Sequence, residues 1–176
     1  MKFKDIFLLP NLVTITRLIV TIYLFLNFTP DFFTITNLIL IIAIIGISDA
    51  VDGIVARKLN QVSKLGTILD PFTDRIVFVM LLFWLIDYFP IWFIYFLIIR
   101  EIFTLIGALY ILIKNKIVTV SNKGKLGTTL IFISICLTVL NTTLNLIIID
   151  YFTYISLIFY YYVALEYLYK LIYKNE

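Results

Sequence analysis

Long apolar runs, each broken after roughly twenty residues by Pro, Gly, Asn or a charge, set the plan of the chain. A hydrocarbon core about 30 Å thick takes about 20 apolar residues per helical crossing. The runs therefore predict six transmembrane helices, at about 12–28, 34–59, 67–88, 91–114, 124–145 and 150–172. The fold class that follows is all-α: one polytopic membrane domain over residues 1–176.

The charges fall in step with these runs. Lys2, Lys4, Arg57, Lys58, Lys64, Lys114, Lys116, Lys123, Lys125, Lys170 and Lys174 sit at the termini or in the second and fourth connections. The other connections carry Asp31, Asp87 and Asp150 and no Lys or Arg. The positive-inside rule then places both termini in the cytoplasm, which agrees with an even number of spans. The opening MKFKDIFLLP mixes Lys and Asp with Phe, Ile and Leu, which suits either a short interfacial helix or a frayed terminus with a positive-inside signal. It has no small-residue cleavage site, so the first span is expected to remain in the mature protein.

Composition sharpens the picture. Of 176 residues, 62% are hydrophobic and 17% aromatic, and the mean hydropathy is +1.08, far above an ordinary soluble domain. An integral protein of the cell membrane is implied, with the bilayer as its surroundings and no nucleic-acid partner. Histidine is absent, which removes the usual acid/base group near neutral pH. The single cysteine, Cys136, lies in an apolar run and excludes an internal disulfide; it reads as a buried filler.

Carboxylates at the end of an apolar run call for explanation. The segment DAVDGIVARKLNQVSKLGTILDPFTDR carries Asp49 and Asp52 three apart, then Asp70 and Asp74 four apart. Both spacings keep a pair on one helical face, offset by about 4.5 and about 6 Å along the axis. Both pairs flank the basic connection, so four acids gather toward the cytoplasmic face. Burying them without partners costs several kcal/mol each. Arg57, Lys58, Lys64 and Arg75 offer one answer, salt bridges that tie helix ends. Hard divalent cations with oxygen ligands offer a fuller one, since magnesium shares carboxylates with substrate phosphates. Gly53, Ala56 and Gly66 keep the same region open to a close ligand.

The run Asp49, Asp52, Gly53, Ala56, Arg57, Gly66, Asp70, Asp74 resembles, at every spacing, the signature of the CDP-alcohol phosphatidyltransferases. The resemblance implies six helices, a cytoplasmic active site and a homodimer. It also implies two divalent ions, Mg2+ or Mn2+, held by Asp49, Asp52, Asp70 and Asp74 against the diphosphate of a CDP-linked lipid. Asp74 is implied to be the general base as well. Asp52, Gly53, Ala56, Arg57 and Gly66 are implied to contact the nucleotide. A carboxylate base suits a chain without histidine, and metal-bridged phosphate oxygens suit an in-line displacement.

Three further segments bear on the acceptor alcohol. PNLVTITR puts Asn11, Thr14 and Arg17 on one face of the first span; Arg17 either faces protein and ligand or snorkels to the interface. IIREIF buries Arg100 and Glu101 in the fourth span, as an ion pair or as a phosphate grip. SNKGKLGT places Lys123 and Lys125 at a helix start, an anion site or an ordinary positive-inside loop. All three resemble elements of phosphatidylglycerophosphate synthases, the first also of bacterial cardiolipin synthases, with the difference that GKLGT has Gly127 where the former carry a second lysine.

CDP-diacylglycerol as donor and glycerol 3-phosphate as acceptor are therefore expected, with Arg100, Lys123, Lys125 and Arg17 on the acceptor's side. Cardiolipin synthesis from phosphatidylglycerol and transfer to an inositol phosphate are alternatives within the family. A divalent-cation transporter is the alternative outside it, but the outer halves of the spans are largely apolar.

Overall fold

The computed structural model describes the backbone over residues 9–58, 66–113 and 122–173, and side chains over 11–48, 72–107 and 122–169. Among these residues there are six α-helices, short 3-10 turns and no strand. The chain divides into two compact units, residues 1–86 and 87–176.

The first unit holds α1 (Leu9–Asn27), α2 (Ile35–Lys58) and α3 (Gly66–Trp84), with α1 packed against both others. Leu38, Ile42, Val77, Phe78, Leu81, Leu82 and Leu85 form its apolar core. Thr34 starts α2 by accepting the Asn37 amide on its hydroxyl at 3.3 Å, one of the donors a helix start leaves without an internal partner. The third run, expected to be helical to residue 88, leaves the α-helix at Trp84 and closes in a 3-10 turn, Ile86–Tyr88. Pro90 disfavours helical backbone at Phe89 and so limits any continuation. Trp84 stacks on Phe25 at 4.7 Å and donates its indole N–H to the Phe28 carbonyl at 2.8 Å, tying the ends of α1 and α3.

The second unit holds α4 (Ile91–Ile113), α5 (Asn122–Leu144) and α6 (Ile147–Tyr173). α5 and α6 form a hairpin whose turn rests on Asn145, at φ 52. Asparagine tolerates this left-handed conformation better than other residues with a Cβ. Asn141 completes the turn: its side-chain oxygen accepts the Leu146 amide at 2.7 Å and its amide donates to Asp150 at 3.2 Å. Asp150, expected in the connection, thus belongs to the first turn of α6. Tyr161 joins α6 to α4 by donating to the Phe96 carbonyl at 2.6 Å.

Polarity is distributed inside out. Asn11, Thr14, Thr21, Thr73, Arg100, Glu101, Ser134, Thr153 and Ser156 are buried, whereas Leu26, Ile44, Ile47, Ile148, Ile155 and Ile158 are exposed. Such an apolar surface matches hydrocarbon rather than water. Hydroxyls on α5 are absorbed locally: Thr128, Thr129 and Ser134 each donate to the carbonyl four residues back. Two of the described helices, Asn122–Leu144 and Ile147–Tyr169, are long and apolar enough to cross a membrane. Cys136 is half-buried on α5, more accessible than a filler in the core.

Candidate active site

In the first unit the four aspartates fall on two helices. Asp49 and Asp52 lie in the last turns of α2, and Asp70 and Asp74 in the first half of α3. Helical backbone at these positions keeps each pair on one face, as the spacings require. The side chains of Asp49, Asp52, Gly53, Ala56, Arg57, Gly66 and Asp70 lie outside the described residues.

Asp74 is described, and it is held. Arg17, from the middle of α1, donates through Nη2 to Asp74 Oδ1; the two side chains are 8% and 29% exposed. Asn11, Thr14 and Thr21 lie on the same stripe of α1, all buried, and Thr73 is buried beside Asp74 on α3. A half-buried carboxylate needs such a cation, because leaving it unpaired costs several kcal/mol. Arg17, expected on the acceptor's side, is thus a partner of the expected base. Nothing in the spacing of residues 17 and 74 announces this contact; the polar stripe on α1 shows only that Arg17 faces protein.

Among the described residues no three acidic, cysteine or histidine side chains converge. Asp74 is the one member of the quartet described there. The quartet as a donor set consists solely of carboxylate oxygens, the hard ligands that suit Mg2+ and Mn2+ and not the softer metals.

The second unit carries a buried polar knot. Arg100 and Glu101, neighbours on α4, are 5% and 1% exposed, and Arg100 Nη1 donates to Glu101 Oε1 at 2.8 Å. Tyr160 of α6, 1% exposed, donates its hydroxyl to the same Oε1 at 2.6 Å. Its ring also covers the guanidinium, with Arg100 Cζ 3.6 Å from the ring centroid. The Thr104 hydroxyl donates to the Glu101 carbonyl at 2.8 Å. Arg100 Nε is buried and has no hydrogen-bond partner among the described residues. An unsatisfied buried donor costs about 1–3 kcal/mol, more when it carries charge.

Lys123 and Lys125 open α5, both exposed. Lys123 Nζ pairs with Glu166 at 2.9 Å and lies 5.6 Å from the Tyr162 ring centroid. Gly127, a turn farther on, is buried under Tyr160: a Cβ there would come 3.2 Å from Tyr160 Cδ2. Tyr160 escaped the sequence reading because it sits in a tyrosine-rich stretch that reads as membrane interface. A legible signal existed in Thr153, Ser156 and Tyr160, a polar stripe at spacings of three and four, all buried.

Residues 7–165 match the CDP-alcohol phosphatidyltransferase family. A cardiolipin synthase (CMP-forming) of Streptomyces coelicolor is 35% identical over 56% of this chain and 48% of its own. A CDP-diacylglycerol--glycerol-3-phosphate 3-phosphatidyltransferase of Blochmanniella floridana is 32% identical over 72% of this chain and 66% of its own. A protein of the same name from Wigglesworthia glossinidia brevipalpis is 32% identical over 92% of this chain and 93% of its own. The chain thus spans about half to two thirds of the first two relatives and nearly all of the third. With the family matched from α1 into α6, across both units and the whole aspartate signature, the chain belongs to the CDP-alcohol phosphatidyltransferase family.

Proposed function

We infer that this chain transfers a phosphatidyl group from CDP-diacylglycerol to glycerol 3-phosphate, releasing CMP and forming phosphatidylglycerophosphate. The observation that carries this reading is the complete aspartate signature, with Asp74 half-buried against Arg17. The similarity along nearly the full length of the Wigglesworthia protein, whose name states this reaction, supports the choice of acceptor.

The acceptor hydroxyl oxygen attacks the lipid-side phosphorus, the bond from that phosphorus to the bridging oxygen breaks, and CMP leaves with the bridging oxygen. Asp74 takes the hydroxyl proton. Arg17 donates to the Asp74 carboxylate and keeps it aimed. Asp49, Asp52, Asp70 and Asp74 would hold two divalent ions, Mg2+ or Mn2+, which supply charge neutralisation for the diphosphate when bound. Asp52, Gly53, Ala56, Arg57 and Gly66 take the nucleotide, with Arg57 as a phosphate fork. Arg100, Lys123 and Lys125 serve the acceptor's phosphate. Arg17, paired with Asp74, stands on the acceptor's side as well.

The remaining architecture follows the same reading. Six spans form one domain in the cell membrane, with both termini and the active site cytoplasmic, and the working unit is a homodimer. The buried polar groups and exposed apolar surface support membrane residence.

Cardiolipin synthesis is the second reading, favoured by the Streptomyces relative. The two separate in one assay. Purified protein is given CDP-diacylglycerol and Mg2+ with glycerol 3-phosphate, phosphatidylglycerol or an inositol phosphate, and the lipid product is identified by mass. Phosphatidylglycerophosphate is the expected product. Cardiolipin alone would replace the acceptor and keep the chemistry.

A further inference from the structure

We propose that Tyr160 is a positioning residue for the acceptor's phosphate: it clamps Arg100 so that the Nε edge of the guanidinium faces an incoming oxyanion. The proposal rests on the assignment of Arg100 to that phosphate. Neighbouring residues on a helix point about 100° apart, so Arg100 and Glu101 pair only if the arginine curls toward the glutamate. Tyr160 enforces that curl twice. Its hydroxyl fixes Glu101 Oε1 at 2.6 Å, and its ring, 3.6 Å from Arg100 Cζ, covers one face of the guanidinium. Nη1 is committed to Glu101, while Nε stays buried and unanswered among the described residues. A planar fork with one corner anchored and another donor unsatisfied is suited to a phosphate oxygen.

Gly127 completes the device. The ring of Tyr160 occupies the space that a side chain at 127 would need, since a Cβ there approaches Cδ2 to 3.2 Å. Gly127 is therefore paired with the tyrosine.

Steady-state kinetics on the detergent-purified full chain test this, with glycerol 3-phosphate and CDP-diacylglycerol varied separately. Tyr160→Phe keeps the ring and loses the hydroxyl; it is expected to raise the KM for glycerol 3-phosphate about tenfold, the scale of one hydrogen bond to a charged group. Tyr160→Leu loses both contacts, and a rise of about a hundredfold is expected. Gly127→Ala displaces the ring and raises the same constant, but adds nothing in the Tyr160→Leu background, as coupled neighbours do. The KM for CDP-diacylglycerol stays within about twofold throughout, the pattern of a lost acceptor contact and not of general damage.

Arg100→Lys separates this proposal from the reading beneath it. If that variant raises the acceptor KM and both Tyr160 variants leave it unchanged, Tyr160 has no positioning role and the acceptor assignment stands. If none of the three moves it, both fall. Equal rises in both Michaelis constants, in step with a lower unfolding temperature, would make the knot purely structural and overturn the proposal. Absence of turnover with glycerol 3-phosphate in the unaltered chain would overturn the acceptor reading before any variant is made.

Discussion

Asp74 and Arg17 are each charged, poorly solvated and set on a helix with an apolar surface. Asp74→Asn removes the proposed proton acceptor while nearly preserving shape; CMP release should fall by about 10²–10⁴, the range general-base catalysis supplies. Full activity in that variant would take the base role away from Asp74. Arg17→Met removes the described cation beside the carboxylate, and with Asp74 partly solvated the loss of stability should be about 2 kcal/mol, less than for a fully buried pair. Thermal unfolding in detergent checks this, and Arg17→Met combined with Asp74→Asn should cost less than the sum of the two single changes, as coupled neighbours do. The four aspartates were legible in the sequence because their spacings match helical faces beside glycines and an arginine. The contacts of the buried charges were not legible: Arg17 and Asp74 are far apart in the chain, and Tyr160 looks like its tyrosine neighbours until its hydroxyl and ring are placed on Glu101 and Arg100.

At the scale of elements, apolar runs locate helices well and their ends poorly. All six runs are helical, yet the third stops at Trp84 and the sixth begins at Ile147, because stopping depends on turn chemistry that hydropathy does not register. The α5–α6 turn is the clearest case. NTTLNLI reads as one more break in an apolar run, but Asn145 takes the left-handed conformation and Asn141 supplies the missing acceptor for Leu146. Asn145→Ala should therefore destabilise the protein by about 1 kcal/mol, the cost of a Cβ in that conformation, whereas Asn145→Gly should be neutral or slightly stabilising. Equal unfolding temperatures for the alanine and glycine variants would deny the turn its role. The same hairpin aligns Gly127 with Tyr160, so a local turn preference contributes to the geometry around Arg100.

As a whole molecule, this helical member of the family is proposed to move a phosphatidyl group from a nucleotide to an alcohol with carboxylates and divalent cations. Metal dependence follows from the donor set: chelation should abolish turnover and Mg2+ or Mn2+ should restore it, with Asp49→Asn or Asp70→Asn shifting the metal titration to higher concentration. An unchanged titration in either variant would remove that residue from the ligand set. The most direct measurement is CMP release by the purified chain from CDP-diacylglycerol, followed with and without glycerol 3-phosphate in the presence of Mg2+. The account predicts release that requires both the acceptor and the metal and is lost in Asp74→Asn. Release that is indifferent to the metal, or no release with any alcohol acceptor, would contradict it.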